Sequence, residues 1–145
     1  MKRKVPVVAM LALAAAMPAY AQLQMVSIAS PWIRFINPAT PAAGYFTVTN
    51  AGARPVVITG ASSPDCGSLM LHQSRSVNGV EQMEMVSSVT VPAHGSVKFA
   101  PGGYHLMCTS PSANVAPGRT VPVTLTFADH RTMTKPFVVR GPNGR

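Results

Sequence analysis

Proline and other turn-forming residues recur at short intervals along the chain and leave few stretches in which a helix could form. Fourteen of the 145 residues are proline and eleven are glycine. Proline lacks a backbone N–H donor and disrupts the interior of a helix. After the first 21 residues, the runs between turns are short and β-rich, and they show no sustained 3.6-residue apolar period. This pattern predicts an all-β chain that folds as a single-domain β-sandwich.

Ten short segments are expected to form strands, and one pair of them is expected to form a tight hairpin. The segments are residues 24–28, 32–35, 43–50, 55–62, 68–76, 81–86, 95–99, 105–109, 120–127 and 132–139. Asn78-Gly79 is the favoured central pair of a two-residue type I′ turn. A hairpin closed by this turn would set His72 opposite Met85 and Ser74 opposite Met83, so that their side chains share one face.

The first 21 residues have the three parts of a secretory signal peptide. Residues 2–4 are basic, residues 5–17 are apolar but too few to span a bilayer, and residues 19–21 form an A-x-A cleavage site. No cysteine stands just after the apolar segment to carry a lipid. We therefore expect a protein that is exported to the periplasm, cleaved near Ala21 and not stably inserted in the membrane. The expected segments are a signal peptide at 1–21, a β-sandwich domain at 22–140 and a frayed C-terminal tail at 141–145.

The positive charge of the chain reflects scarce acidic residues more than a basic patch. The formal charge of +8 falls to +5 without the three cations of residues 2–4. The remaining arginines are dispersed, whereas nucleic-acid surfaces cluster their cations and place aromatic residues between them. A mildly basic face would still help the protein to dock on an acidic partner.

A set of soft metal donors stands at fixed intervals in the sequence: His72, Met83, His105 and Met107. Ten residues lie between the first two, twenty-one between Met83 and His105, and one between His105 and Met107. Imidazole and thioether groups without a carboxylate are a poor set for calcium or magnesium and suit Cu(I). We predict that these four residues bind Cu(I), and that binding weakens as the imidazoles protonate below about pH 6.5.

At these residues the chain resembles the periplasmic copper(I) chaperones of the PCuAC family (DUF461), whose signature is H-(M)-x10-M-x21-H-x-M. The resemblance spans about residues 30–139, and its other matching segments are Trp32-Ile33-Arg34, Ala43-Gly44-Tyr45-Phe46, Ser62-Ser63-Pro64, Val91-Pro92-Ala93-His94-Gly95, Pro101-Gly102-Gly103-Tyr104-His105-Leu106-Met107 and Val123-Thr124-Leu125-Thr126-Phe127. It implies a cupredoxin-like Greek-key β-sandwich that carries Cu(I) for the assembly of the dinuclear copper centre of cytochrome c oxidase. The implied partner is the copper-bearing subunit of the oxidase or a thiol-containing copper assembly protein, and we expect the carrier to be a monomer.

Two features depart from the family pattern. Gln73 stands at the position of the optional methionine after the first histidine, so Met85 or Met70 either supplies a further sulfur donor or packs beside the site. Some relatives have a C-terminal tail rich in His and Met that binds a second copper, but only His130 and Met133 precede the last residues of this chain.

Cys66 and Cys108 have two main possible roles in an exported protein, and a third, thiol–disulfide exchange, lacks the usual C-x-x-C motif. An even number of cysteines in an oxidising compartment favours a disulfide. Both cysteines also lie close in sequence to the soft donors, so thiolate coordination of copper is the alternative. A blue-copper electron carrier would need such a thiolate in a His2Cys site, and its usual Cys…His…Met order differs from the order found here.

Enzyme chemistry has little support in the sequence, and we expect the protein not to be an enzyme. Glu81 and Glu84 lie in a predicted hairpin without a second pair of acids, and no Ser/His/Asp grouping follows a known motif.

Two alternatives to an oxidase-directed copper chaperone remain. One is an exported β-sandwich module that binds another protein through its Met/His surface, and the other is a copper tolerance or storage protein without an oxidase acceptor.

Overall fold

The computed structural model describes Pro18 and residues 24–145, so most of the predicted signal peptide and its cleavage site lie outside the described residues. In this region the chain forms ten β-strands. They are β1 (Val26–Arg34), β2 (Ala42–Asn50), β3 (Val56–Ser62), β4 (Cys66–Val77), β5 (Val80–Met85), β6 (Val89–Val91), β7 (Gly95–Phe99), β8 (Tyr104–Pro111), β9 (Thr120–Phe127) and β10 (Thr132–Arg140). Over the described residues, the structure contains no helix with the length and apolarity needed to cross a membrane.

The strands form one hydrogen-bonded sheet that curves around a single core. Their order is β5-β4-β8-β7-β2-β1-β10-β9-β3-β6, and β8 also pairs directly with β2. Strands near opposite ends of this order supply buried side chains to the same apolar cluster, for example Leu71 on β4 and Val91 on β6. The sheet therefore folds over to enclose the core between two layers, and the predicted all-β sandwich is confirmed.

Two strand predictions need correction. The segments predicted as separate strands at 24–28 and 32–35 are one strand, β1, with a bulge between Ala29 and Trp32. Ser30 has a positive φ of 50° there, and Pro31 has no N–H to contribute to a regular ladder. The three-residue strand β6 was not predicted, because three residues are too few to show a period-2 pattern.

The predicted Asn78-Gly79 hairpin is confirmed. Both turn residues have positive φ, 52° and 78° respectively, as a type I′ turn requires. His72 pairs with Met85 and Ser74 pairs with Met83, which is the predicted register.

The structure joins Cys66 and Cys108 in a disulfide that links β4 to β8. Cys108 is buried on the core side and pairs with Leu69 of β4. The bridge closes a separation of 42 residues, so it restricts the unfolded chain and holds these two strands together. Of the two predicted roles, the structure therefore supports the disulfide and not thiolate coordination of copper.

The C-terminal segment of the chain lies beside the Trp32 ring. The Gly141 N–H donates to the Arg145 carbonyl, 2.7 Å away, and closes a turn in the segment expected to fray. The Arg140 guanidinium lies over the Trp32 ring, 5.4 Å from its centroid.

We expect the disulfide to contribute to stability. Replacing both Cys66 and Cys108 by Ala should lower the free energy of unfolding by about 2–4 kcal/mol, because the unfolded chain regains the entropy of an open loop. Urea denaturation followed by circular dichroism would measure the loss. Wild-type protein unfolded in reductant is the matched control, and it should approach the stability of the variant. An unchanged urea midpoint in both would contradict a stabilising bridge.

Candidate metal centre

The two predicted histidine ligands lie side by side on neighbouring strands, on the face of the sheet opposite the buried Leu71 and Leu106. His72 on β4 and His105 on β8 are direct register partners, and their ring centroids are 5.7 Å apart. The two residues are 9% and 4% exposed, respectively. Buried histidines need partners for their polar nitrogens, so this pair is a site that calls for a ligand or for internal hydrogen bonds.

The hydrogen bonding of the two rings differs. Nδ1 of His105 lies 3.2 Å from the Gly103 carbonyl, to which it donates in the neutral tautomer that leaves the Nε2 lone pair available. The same carbonyl accepts a hydrogen bond from the Ser74 N–H at 3.0 Å. Nδ1 of His72 is buried without a hydrogen-bond partner among the described residues. Each ring therefore has a nitrogen that no hydrogen bond within the described protein satisfies.

The two predicted methionine ligands lie on the same face as the histidines. Met107 is two residues beyond His105 on β8, and Met83 lies on β5 opposite Ser74. Met83 is 60% exposed, whereas Met107 is half-buried. Met83, His105 and Met107 all line one open cavity of about 470 Å³. The structure thus brings three of the four predicted residues together around a cavity, and the fourth, His72, lies beside His105.

Two further methionines have places near the histidines. Met85 is the direct cross-strand partner of His72 and is 68% exposed. Met70 is the direct partner of Met107 on β4 and is half-buried. Gln73 is next to His72 in the strand, so its side chain points to the opposite face, where it accepts a hydrogen bond from Arg75.

Arg34 had no predicted role at the site and Tyr45 was expected only as core or near-site packing, yet both line the same cavity as Met83, His105 and Met107. The Arg34 guanidinium carbon lies 5.6 Å from the centroid of the Tyr45 ring. Burial raises the pKa of Tyr45, and the nearby Arg34 charge partly opposes that effect. Both residues belong to segments that matched the family pattern, so the sequence signal was present without an indication of their role.

The pKa of His105 is lowered below the ordinary value of a histidine. Burial is the main cause, because it disfavours the imidazolium, and the neighbouring His72 and Arg34 add to the effect. The hydrogen bond with the Gly103 carbonyl acts in the opposite direction. His105 therefore keeps its neutral, metal-binding form to a lower pH than an exposed histidine does.

Among the described residues, no three His, Cys, Asp or Glu side chains converge to hold a metal ion. The cysteines also provide no thiolate, because the structure pairs them in a disulfide. A site at this position depends on two imidazoles and on thioether sulfur, a soft and uncharged donor set.

We expect His105 of the metal-free protein to titrate below pH 6.5 in an NMR pH series. Its lowered folded-state pKa means that the unfolded chain binds this proton more strongly. The associated stability is thus present above about pH 6.5, the unfolded pKa, and is lost as the pH falls through the folded value. His105→Gln should remove this part of the pH dependence, and His94→Gln, a substitution in an exposed turn, is the matched control. A His105 pKa at or above 6.5 would contradict the burial argument.

Comparison with known proteins agrees with this geometry. The family model described as "Putative lipoprotein LpqE-like" matches residues 26–139. The chain belongs to the LpqE-like family. This family is DUF461, so the resemblance to PCuAC proteins is confirmed.

Two relatives of this LpqE-like chain align over most of its length. A putative lipoprotein of Leifsonia xyli subsp. xyli is 33% identical over 112 residues, which are 77% of this chain and 67% of the relative. An uncharacterized protein of Rickettsia prowazekii is 28% identical over 116 residues, covering 79% of this chain and 64% of the relative. The aligned part of the chain spans about two thirds of each relative.

Solved structures of a PCuAC domain and of the protein DR1885 have the same fold. The copper-bound PCuAC domain from PmoF2 aligns with a TM-score of 0.67 and 26% identity, covering 81% of this chain and 94% of that domain. Apo-DR1885 from Deinococcus radiodurans aligns with a TM-score of 0.64 and 28% identity, covering 100% of this chain and 97% of that protein. Its Cu(I) form aligns with a TM-score of 0.57 and 25% identity, covering 88% and 96%. The cupredoxin-like fold implied by the sequence resemblance is confirmed.

Proposed function

We propose that this LpqE-like protein is a periplasmic metallochaperone that binds one Cu(I) ion through His72, Met83, His105 and Met107. The observation that carries the proposal is the buried His72–His105 pair, whose rings lie 5.7 Å apart beside a methionine-lined cavity. Copper-bound structures of the PmoF2 domain and of DR1885 support it, because both share this fold.

The donors differ in exposure, and this difference suits a carrier. The two imidazoles are buried and fixed by strand pairing, so they would retain the ion in the resting protein. Met83 is mostly exposed on the edge strand β5, where an incoming ligand would reach it first. A neutral thioether also competes poorly with a thiolate for Cu(I). Copper would therefore leave by exchange of the methionine ligands, while the histidines hold it until the last step.

The proposed destination is the dinuclear copper centre of cytochrome c oxidase, reached directly on the copper-bearing subunit or through a thiol-containing assembly protein. Export to the periplasm is supported by the signal-peptide pattern of residues 1–21 and by a relative described as a lipoprotein. We propose that the mature chain begins near Gln22, acts as a monomer and catalyses no reaction.

Anaerobic titration of the mature protein with Cu(I), in competition with a chromophoric chelator, tests the proposed site. Wild type should take up one equivalent, and His105→Ala should lose tight binding. Met83→Leu combined with Met107→Leu should weaken binding by more than the ~10–100-fold that follows loss of an outer-shell partner. His94→Ala is the matched control, because His94 is exposed and stands in a turn away from these strands. Wild-type protein that fails to compete for Cu(I) would disprove the carrier function.

We also propose that Met85 is an accessory sulfur donor, since it lies directly across the strand pair from His72. Direct cross-strand partners have Cβ atoms about 5 Å apart, and the methionine side chain is long and adaptable. Met85→Leu should weaken Cu(I) binding by several-fold, less than Met83→Leu, in the same competition assay. Met25→Leu, another exposed methionine, is the control. Equal affinities of Met85→Leu and wild type would assign Met85 to packing alone.

One observation favours an alternative function. The edge strand β5 is exposed along its length, and Val80, Met83 and Met85 are all at least 60% exposed. Such an edge can pair with another chain, as expected for an exported module that binds a partner protein. Partner binding that is unaffected by copper and by His105→Ala would favour that module.

A further inference from the structure

Arg34 is the one cation that reaches the cavity of the proposed copper site from the described residues. It ends β1, where it pairs with Ala43 of β2, and Ala43 pairs in turn with Met107 of β8. These three residues form a cross-strand row, in which Arg34 and Met107 are two strand spacings, about 10 Å, apart. The small Ala43 side chain between them leaves room for the cavity that Arg34, His105 and Met107 line together.

The Arg34 guanidinium lacks a hydrogen-bond acceptor within the described protein. Its Nε atom is buried without a partner, and the structure records no hydrogen bond or ion pair from its guanidinium to another described residue. Its recorded contact is with the face of Tyr45, 5.6 Å from the ring centroid. Glu81 lines the same cavity, but neither of the two ion pairs recorded among the described residues includes it. A buried guanidinium donor without an acceptor is costly, which suggests that an acceptor arrives from outside.

The charge of the proposed site indicates what kind of acceptor it is. Two imidazoles and two thioethers are neutral, so a bound Cu(I) ion would keep its positive charge next to the Arg34 cation. Like charges in a partly buried cavity repel each other. An anion that enters the cavity would interact favourably with both, and a guanidinium forms strong charge-assisted hydrogen bonds with anions. If that anion is a sulfur donor, it also suits Cu(I).

We propose that Arg34 forms an anion subsite in the copper cavity, and that this subsite receives the cysteine thiolate of the copper acceptor during transfer. This inference rests on the proposed copper-carrier function. In the transfer step the acceptor thiol releases its proton to solvent, the thiolate forms a bond to Cu(I), and one copper–thioether bond breaks. Copper remains monovalent, so no oxidant or reductant is needed. Arg34 stabilises the thiolate in the intermediate in which both proteins hold the ion.

The structure offers a matched control for this role. Arg140 of β10 is the direct register partner of Arg34 and also lies over an aromatic ring, that of Trp32. It does not line the cavity. Arg34→Gln and Arg140→Gln therefore remove the same charge from neighbouring positions, and only the first removes it from the proposed subsite. Arg34→Lys keeps the charge but loses the planar donor group.

The test compares copper transfer to two acceptors by stopped-flow measurements on Cu(I)-loaded protein. One acceptor is a peptide with a single cysteine, and the other is the same peptide with methionine in its place. Arg34→Gln should lower the ratio of the thiolate rate to the thioether rate by about ten- to a hundredfold, the factor expected from loss of one charge-assisted hydrogen bond. The ratio for Arg34→Lys should lie between those of wild type and Arg34→Gln, and Arg140→Gln should keep the wild-type ratio. An unchanged ratio in Arg34→Gln, or an equal fall in Arg140→Gln, would overturn the subsite.

A measurement on the metal-free protein separates this proposal from the copper-carrier function. Thiocyanate is a soft monovalent anion, and its addition should shift the Arg34 Nε–H resonance in nitrogen-15 NMR spectra with saturation. The Arg140 resonance should not follow the same curve. A saturable shift in protein that fails to bind Cu(I) would retain the anion subsite and reject the carrier. Copper binding without any thiocyanate shift at Arg34 would reject the subsite and retain the carrier. The unfolding midpoint of each variant shows whether the substitution has damaged the fold.

Discussion

The direct pairing of β4 with β8 is the constraint on which both the core and the proposed site depend. On one face of this pair, His72 lies opposite His105, and on the other face Leu71 lies opposite Leu106. Side chains alternate between faces, so a slip of one residue would bring leucine to the site and histidine into the core. The disulfide and the Gly103 carbonyl, which accepts hydrogen bonds from both Ser74 and His105, hold the register at two places.

Because of this pairing, the proposed copper ligands differ in how deeply they are buried. The histidines on β4 and β8 are buried, whereas Met83 and Met85 on the edge strand β5 are exposed. Burial keeps His105 neutral by lowering its pKa, and exposure leaves the thioethers open to exchange. A metal carrier needs both properties, because it must protect its ion and still release it to a partner. Arg34 adds a positive charge to the cavity beside these neutral donors, and this charge is the basis of the proposed anion subsite.

The predictions from sequence succeeded where the structure depends on local chemistry. Asn78-Gly79 specifies its own turn, and this turn determined the register of Met83 and Met85. The predictions failed where contacts between distant parts of the chain determine the local structure. The β1 bulge at Ser30 joins two predicted strands, and β6 is too short to have a recognisable pattern. The roles of Cys66 and Cys108 stayed open for the same reason, since their pairing requires β4 and β8 to be neighbours.

The sequence by itself determined the all-β class, the hairpin and the spacing of the soft donors, because turn residues and side-chain alternation act over a few positions. Only the tertiary structure decided that His72 and His105 are adjacent and buried. It also decided that Arg34, which precedes Met107 by more than seventy residues, lines the same cavity across Ala43. Such contacts depend on which strands become neighbours in the sheet. That choice is made by the packing of the whole core, and no local pattern in the chain encodes it.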